Sequence, residues 1–223
     1  MKVLIVIGDG DPHGAKDDEA REFLGYGGEI AKHCAEDGLS WEVFVPQRVE
    51  KWYQTFSPYT KDVRPTTYSG ANDLAELLKT NEPKALIVIG HGFQTAGPSA
   101  VVQLCPDAEN QERHLTTNHI DLLNPILYFG LHCYSGLLVD HLKADIIAFH
   151  LTGHAPGQNL DVKVFTEDAA AVEAMKTLLT AAVAFEDDRR ELAGELKDQQ
   201  KALTQAVNSY TGKTGQECAG WRV

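Results

Sequence analysis

The sequence predicts a three-layer α/β sandwich built on a mainly parallel central sheet. Two observations carry that prediction. Short apolar runs alternate with helix-like segments along the first two-thirds of the chain, and there are five such runs. Runs such as "ALIVIG" (85–90) are also apolar on every residue rather than every second one. That is the pattern of a parallel strand covered on both faces.

The elements follow in order. "KVLIVIG" (2–8) is the first strand, and a helix around 17–36 follows it, with Gly38 as its stop. "WEVFVP" (41–46) is the second strand. An irregular aromatic-rich segment, "KWYQTFSPYTKDVRPTTY" (51–68), leads to a helix near 70–80. Ser69 is placed to cap that helix, and Leu74, Leu77 and Leu78 give it an apolar face. "KALIVIGHGF" (84–93) is the third strand, ending at His91, and residues 93–118 form a long insertion. A short helix near 117–123 precedes the fourth strand, within "PILYFGLHCYSG" (125–136), which ends near Cys133. A helix over 135–142 and a fifth strand, "DIIAFHL" (145–151), complete the alternation.

The C-terminal third changes character. Val172, Met175, Leu179 and Val183 keep helical spacing, as do Leu192, Leu196, Leu203 and Val207 on a more charged stretch. The expectation is one domain over 1–223, with its core in about 1–155 and a helical region at about 165–210. These final helices suit packing or a dimer surface.

Composition narrows the partners. The 223 residues are 43% hydrophobic, enough for one sizeable core. Twenty basic against 32 acidic residues leave a charge of −12, which argues against nucleic acid or an anionic membrane. No apolar run approaches the ~20 residues that span a bilayer. The first apolar segment is only Val3 to Ile7, too short for a secretion signal, so a cytoplasmic protein is expected. The four cysteines (Cys34, Cys105, Cys133, Cys218) are scattered, show no CxxC pair, and read as free thiols.

Two strands end in residues that can do chemistry. In an open parallel sheet, ligands bind beyond the carboxyl ends of the strands. His91 and Cys133 both sit at such ends, 133 − 91 = 42 residues apart, which leaves room for one crossover between neighbouring strands. Histidine moves protons and a thiolate attacks carbonyl carbon, so the pair is the minimum for cysteine nucleophilic catalysis. The backbone N–H of Gly92, unobstructed by a side chain, and that of Cys133 are candidates for an oxyanion hole.

An apolar strand ending in His-Gly, then one ending in Cys with Ser-Gly following, resembles the caspase-like superfamily of cysteine peptidases. That superfamily includes caspases, metacaspases, legumains, gingipains, clostripain-like enzymes and separases. "ALIVIGHG" and "ILYFGLHCYSG" match its two motifs in order, and the resemblance covers roughly residues 1–155. It implies a caspase-like sandwich in which His91 is the general acid/base, Cys133 the nucleophile and Gly92 an oxyanion donor. It implies peptide-bond hydrolysis through an acyl-enzyme, with protein or peptide as substrate and no metal or cofactor. A regulatory protein partner or a homodimer is compatible with it, and so is a mobile role for 93–118, cleaved or ordered on activation.

The resemblance also points to a specificity pocket. Its floor would come from Asp9 and Asp11 after the first strand, Leu131 two before the cysteine, and Thr152, Gly153 and His154 after the fifth strand. The chain departs from the family at two places. Members that cut after basic residues commonly carry an acid at the position of Leu131, and caspases a glutamine. His132 stands where a small residue is usual. Leu131 suits an apolar or small side chain, while Asp9 and Asp11 suit a basic one, and both preferences stay open.

Other chemistries find less support. His132, His150 and His154 match no HExxH or CxxC spacing, so no metal is expected. "GDGDPHG" (8–14), "GYGG" (25–28) and "TGKTG" (211–215) reproduce neither GxGxxG nor a complete phosphate loop. Two alternatives to the peptidase remain. One is a catalytically inactive caspase-like interaction scaffold. The other is a cysteine α/β-hydrolase of dienelactone-hydrolase type with His150 or His154 as partner. That second fold wants G-x-C-x-G, but Gly130 and Gly136 each lie three residues from Cys133.

Overall fold

Strands apolar on both sides must be covered on both sides, and the computed structural model shows how. It describes residues 2–9, 17–50, 65–96, 100–105, 113–151, 162–186, 189–210 and 219–222. The chain runs β1 (Lys2–Ile7), α1 (Asp17–Glu36), β2 (Trp41–Pro46), a 3-10 turn (Gln47–Val49), β3 (Thr66–Tyr68), α2 (Ala71–Lys79) and β4 (Pro83–Ile89). It continues through β5 (Gly92–Gln94), β6 (Ala100–Gln103), β7 (His114–Leu115), α3 (Thr117–Leu123), β8 (Leu127–Leu131), α4 (Ser135–Val139) and β9 (Ile147–Leu151). The last elements are α5 (Val164–Glu167), α6 (Ala169–Ala184), α7 (Arg189–Glu195), α8 (Lys197–Tyr210) and β10 (Ala219–Arg222).

Seven strands form one sheet in the order β10-β9-β8-β4-β1-β2-β3, and all its pairings are parallel except β9 with β10. The α/β class and the mainly parallel sheet are therefore as expected. The path runs one way from β1 to β2 and β3, then returns past β1 to continue through β4, β8 and β9. That reversal puts the topological switch between β1 and β4, where ligands of such sheets bind at the carboxyl end.

Alternation along each strand sorts the core into two layers. Val3, Ile5 and Ile7 of β1, Ala85, Ile87 and Ile89 of β4, and Leu127, Phe129 and Leu131 of β8 all turn toward α1 and α5 to α8. Leu4, Val6, Leu86, Val88 and Tyr128 turn toward α2, α3 and α4. Residues Val3 to Ile7 are completely buried. Each such side chain contributes about 1.5–3 kcal/mol by leaving water, which explains why no polar residue interrupts the run.

Three regions differ from the expectation. Much of the 93–118 insertion is ordered: β5, β6 and β7 make a small antiparallel sheet laid over the carboxyl ends of the main strands. Strands of two to four residues are too short to show a period in sequence, so this segment reads as loop. β3 and β10 also extend the sheet beyond the five expected strands. β10 is held by aromatic packing, since Trp221 lies edge-on to Phe149 at 5.1 Å and to Phe129 at 6.0 Å. Finally, the buried stripe of α6 runs through Ala171, Ala174, Met175, Leu178, Leu179 and Ala182, leaving Val172 and Val183 at its margins. Among the described residues, no helix is long and apolar enough to cross a membrane.

Candidate active site

β4 and β8 are parallel neighbours in a register that pairs Ala85 with Leu127 and Ile89 with Leu131. The constant offset, 127 − 85 = 42, is the separation of His91 and Cys133, so the two residues leave adjacent strands at the same level. Contact beyond the strands bears this out. A Cβ built on Gly92 would overlap the Cys133 carbonyl oxygen and stand 2.7 Å from its carbon. Only glycine lets these two backbones meet.

His91 and Cys133 are each partly exposed. The His91 ring meets Phe23 of α1 edge-on at 5.2 Å and Phe93 at 6.3 Å, so it stands on the α1 side of the sheet. Its carbonyl accepts a hydrogen bond from the Gln103 N–H at 2.8 Å, which ties the histidine to β6. The same bond fixes the pattern of the small sheet. Gly92 and Val102 form a non-hydrogen-bonded pair, so the Gly92 N–H points out of the β5–β6 ladder. The β5–β6 ladder therefore makes no use of it.

Cys133 sits on the turn between β8 and α4. The next residue, Tyr134, holds φ 58° and ψ 17°, a left-handed conformation uncommon for a large side chain. That sharp turn ends the strand and starts α4, with Ser135 fully buried behind it. Burial pushes the Cys133 thiol up from its ordinary value, an effect partly offset by its own backbone N–H. At rest the sulfur is therefore a thiol.

His132 is buried and turns to the opposite face. Its Nδ1 donates to the Cys133 carbonyl at 2.9 Å, which requires the hydroxyl of Tyr128, also at 2.9 Å, to donate to Nε2. Burial pushes this imidazole down to about 4, against the smaller opposing effect of the Cys133 carbonyl. It is a neutral strut bracing the turn.

The expected pocket residues fare differently. Leu131 is fully buried in the core layer beneath α1, so its side chain packs the sheet instead of flooring a cleft; that expectation is corrected. The alternation that turns Leu131 inward follows from its pairing with Ile89 on the same face. Asp9 is at the carboxyl end of β1, but its carboxylate is 1% exposed and grips Arg48. Arg48 Nε donates to one carboxylate oxygen at 2.7 Å and Nη2 donates to the other. Beside them the Tyr68 hydroxyl donates to the Ile7 carbonyl at 2.6 Å. Burial, then the neighbouring Cys105 and Asp9, push that phenol well above its ordinary range. Asp11, Thr152, Gly153 and His154 lie outside the described residues. His150 pairs with Gly130, three residues short of Cys133, about 10 Å back along the sheet.

Arg48, Gln103 and Tyr134 belong to this neighbourhood and had no sequence signal of their own. Gln103 lies inside a stretch with no readable period, and Arg48 is an ordinary surface residue until Asp9 is placed beside it. Among the described residues, no group of three His, Cys, Asp or Glu could hold a metal ion.

The three described cysteines make a direct check. Cys34 is buried, with its thiol pushed up to about 12 by burial and the nearby Asp37, and Cys105 is buried as well. Under native conditions, iodoacetamide should modify Cys133 at least roughly tenfold faster than either. The Cys133 rate should also keep climbing past pH 9, the ordinary thiol value, as peptide mass spectrometry would record. A rate already flat near neutral pH would mean a resting thiolate, contrary to this environment.

No protein-family model matches the chain, and no curated protein matches it either.

Proposed function

We propose that the chain is a cysteine endopeptidase of caspase-like fold, using a His91/Cys133 dyad and an acyl-enzyme intermediate. The observation that carries the reading is the meeting of the two strand ends, with Gly92 pressed against the Cys133 carbonyl. It brings an imidazole, a partly exposed thiol and an outward backbone N–H to one edge of the sheet, beside the topological switch. Acyl transfer needs those three groups together.

The chemistry follows from the resting thiol. As Sγ attacks the scissile carbonyl carbon, its proton passes to the His91 imidazole and the C–S bond forms. The Gly92 and Cys133 N–H groups stabilise the resulting oxyanion. Collapse breaks the C–N bond, and His91 returns the proton to the leaving amine. Water then gives a proton to His91 and attacks the thioester, and the sulfur leaves and is reprotonated. With the thiol pushed up by burial, proton transfer accompanies attack instead of preceding it.

A second reading has one observation in its favour. The raised Cys133 thiol also suits an interaction scaffold of the same fold whose dyad is unused. Of the two partners that the cysteine α/β-hydrolase reading names, His150 lies well short of Cys133 along its strand, and His154 lies outside the described residues.

Cleavage of a positional-scanning fluorogenic peptide library by wild type and Cys133→Ala separates the first two. The expected result is turnover by the wild type and a loss of at least ~1,000-fold in the variant, the scale for removing a nucleophile. With the Asp9 carboxylate held by Arg48, neutral side chains before the cut are expected to lead. A library left intact by the wild type, with Cys133 also inert to alkylation, would sink the peptidase reading and favour the scaffold.

A further inference from the structure

We infer that the side-chain amide of Gln103 is a hydrogen-bond donor to a polypeptide substrate, binding a backbone carbonyl on the leaving-group side of the scissile bond. The assignment rests on the dyad reading above. Gln103 is only 3% exposed, yet its Nε2 has no hydrogen-bond partner among the described residues. Buried polar groups almost always have one, so an unpaired amide donor beside a catalytic pair asks for an acceptor from outside the protein.

The strand geometry says where that acceptor lies. Gly92 pairs with Val102 in β5–β6, so the next step of the antiparallel register sets His91 opposite Gln103, and the 2.8 Å bond between them confirms it. Residues directly opposite each other turn to the same face. Val102 turns to the other one, since a Cβ on Gly90 would meet its Cγ1 at 3.3 Å within the second core layer. Gln103 therefore shares the face of the His91 imidazole, the one toward α1.

The backbone of Gln103 is fixed as well. Its carbonyl lies hard against Gly8, so close that a Cβ there would overlap it, and the next residue, Leu104, accepts from the Asp9 N–H at 3.0 Å. Along the carboxyl edge the order is thus Cys133 at the end of β8, His91 at the end of β4, and Gln103 over the end of β1. A substrate with its carbonyl carbon at Cys133 presents its leaving nitrogen to His91, which must protonate it. The chain beyond that nitrogen continues toward Gln103. A peptide carbonyl one residue on is the natural acceptor for the unpaired amide. An isolated leaving group without that carbonyl cannot use it.

The test compares two substrates with the same acyl portion. One is an internally quenched peptide running several residues beyond the cut, and the other is an anilide that stops at the leaving nitrogen. Gln103→Met keeps the length and bulk without the donor, Gln103→Glu keeps the shape with an acceptor instead, and thermal melts show that each is folded. The expected result is a loss of roughly tenfold or more in kcat/KM on the extended peptide, with the anilide changed less than about twofold. The wild type should lose a similar factor on a peptide whose first carbonyl after the cut is replaced by methylene. On that peptide Gln103→Met should lose nothing further. This arm with the wild type decides the matter even if the variants do not fold.

Equal loss on both substrates, or no loss on either, overturns the assignment while Cys133-dependent cleavage leaves the dyad reading standing. A wild type that cleaves neither substrate removes both.

Discussion

Replacing Gly92 with alanine is expected to cost the protein about 3 kcal/mol or more, and any Cys133-dependent activity at least ~100-fold. The added methyl would overlap the Cys133 carbonyl oxygen and stand 2.9 Å from His132 Nδ1. The first of these is backbone, which has no rotamer to move to. The second is a ring held by hydrogen bonds to Tyr128 and to that same carbonyl, each 2.9 Å long. Relief requires β5 to lift from the β8 turn, and that motion separates His91 from Cys133. Gly25 of α1 is the control, because a Cβ there meets nothing within 4 Å among the described residues. Gly25→Ala should be neutral or stabilising by up to about 1 kcal/mol. Urea unfolding of the two variants measures the contrast. A Gly92→Ala protein within 0.5 kcal/mol of wild type would mean that the strand ends do not meet as described.

Much of this arrangement is legible in the sequence because a few residues decide it. "ALIVIG" and "ILYFG" are unbroken by polar residues, and such strands can only lie in a covered parallel sheet. His-Gly at the end of one and Cys at the end of the next then fall at the carboxyl edge by geometry alone. The separation of 42 residues cannot itself reveal register, yet register is what brings the two ends to one level. The rest is hidden for physical reasons. Leu131 has the right position in the chain for a pocket residue, but strand alternation commits it to the same buried face as Phe129. Asp9 reads as a bare carboxylate until the fold sets Arg48 beside it. The small sheet escapes notice because its strands draw their order from contact with β1 and β4, not from a period of their own. Gln103 is the clearest case, since nothing about an isolated glutamine predicts that its amide will be buried with no partner among the described residues.

One consequence joins the two faces of the sheet. The His91 ring stands on the α1 side, whereas the residue between Cys133 and the strand, His132, is anchored on the side of α2, α3 and α4 by Tyr128. The turn that presents the thiol is therefore steered from the opposite layer of the sandwich. The same turn carries the non-glycine left-handed residue Tyr134.

Acid should release the anchor. An unfolded chain protonates His132 near its ordinary value of 6.5, whereas the buried ring resists until about 4. Above 6.5 the imidazole is neutral in both states and contributes no pH dependence. Between 6.5 and 4 the unfolded state binds a proton that the folded state refuses, so stability falls as pH falls, by about 3 kcal/mol in all. Below about 4 both states are protonated and the loss stops growing. The chemistry of the site gives the same direction. Protonated Nε2 becomes a donor facing the Tyr128 hydroxyl, so that bond must break or reverse, while Nδ1 can still hold the Cys133 carbonyl. His132→Phe preserves the ring volume and cannot titrate. It should be less stable than wild type at neutral pH, since the tyrosine hydroxyl and the cysteine carbonyl lose their partner. Its further loss on acidification should be about 3 kcal/mol smaller than that of wild type, because all other carboxylates and histidines titrate alike in both proteins. Denaturant unfolding of the pair at pH 7 and pH 4 isolates the difference. Parallel curves would show that the imidazole is solvated or charged in the folded state, and the neutral strut behind Cys133 would have to be abandoned.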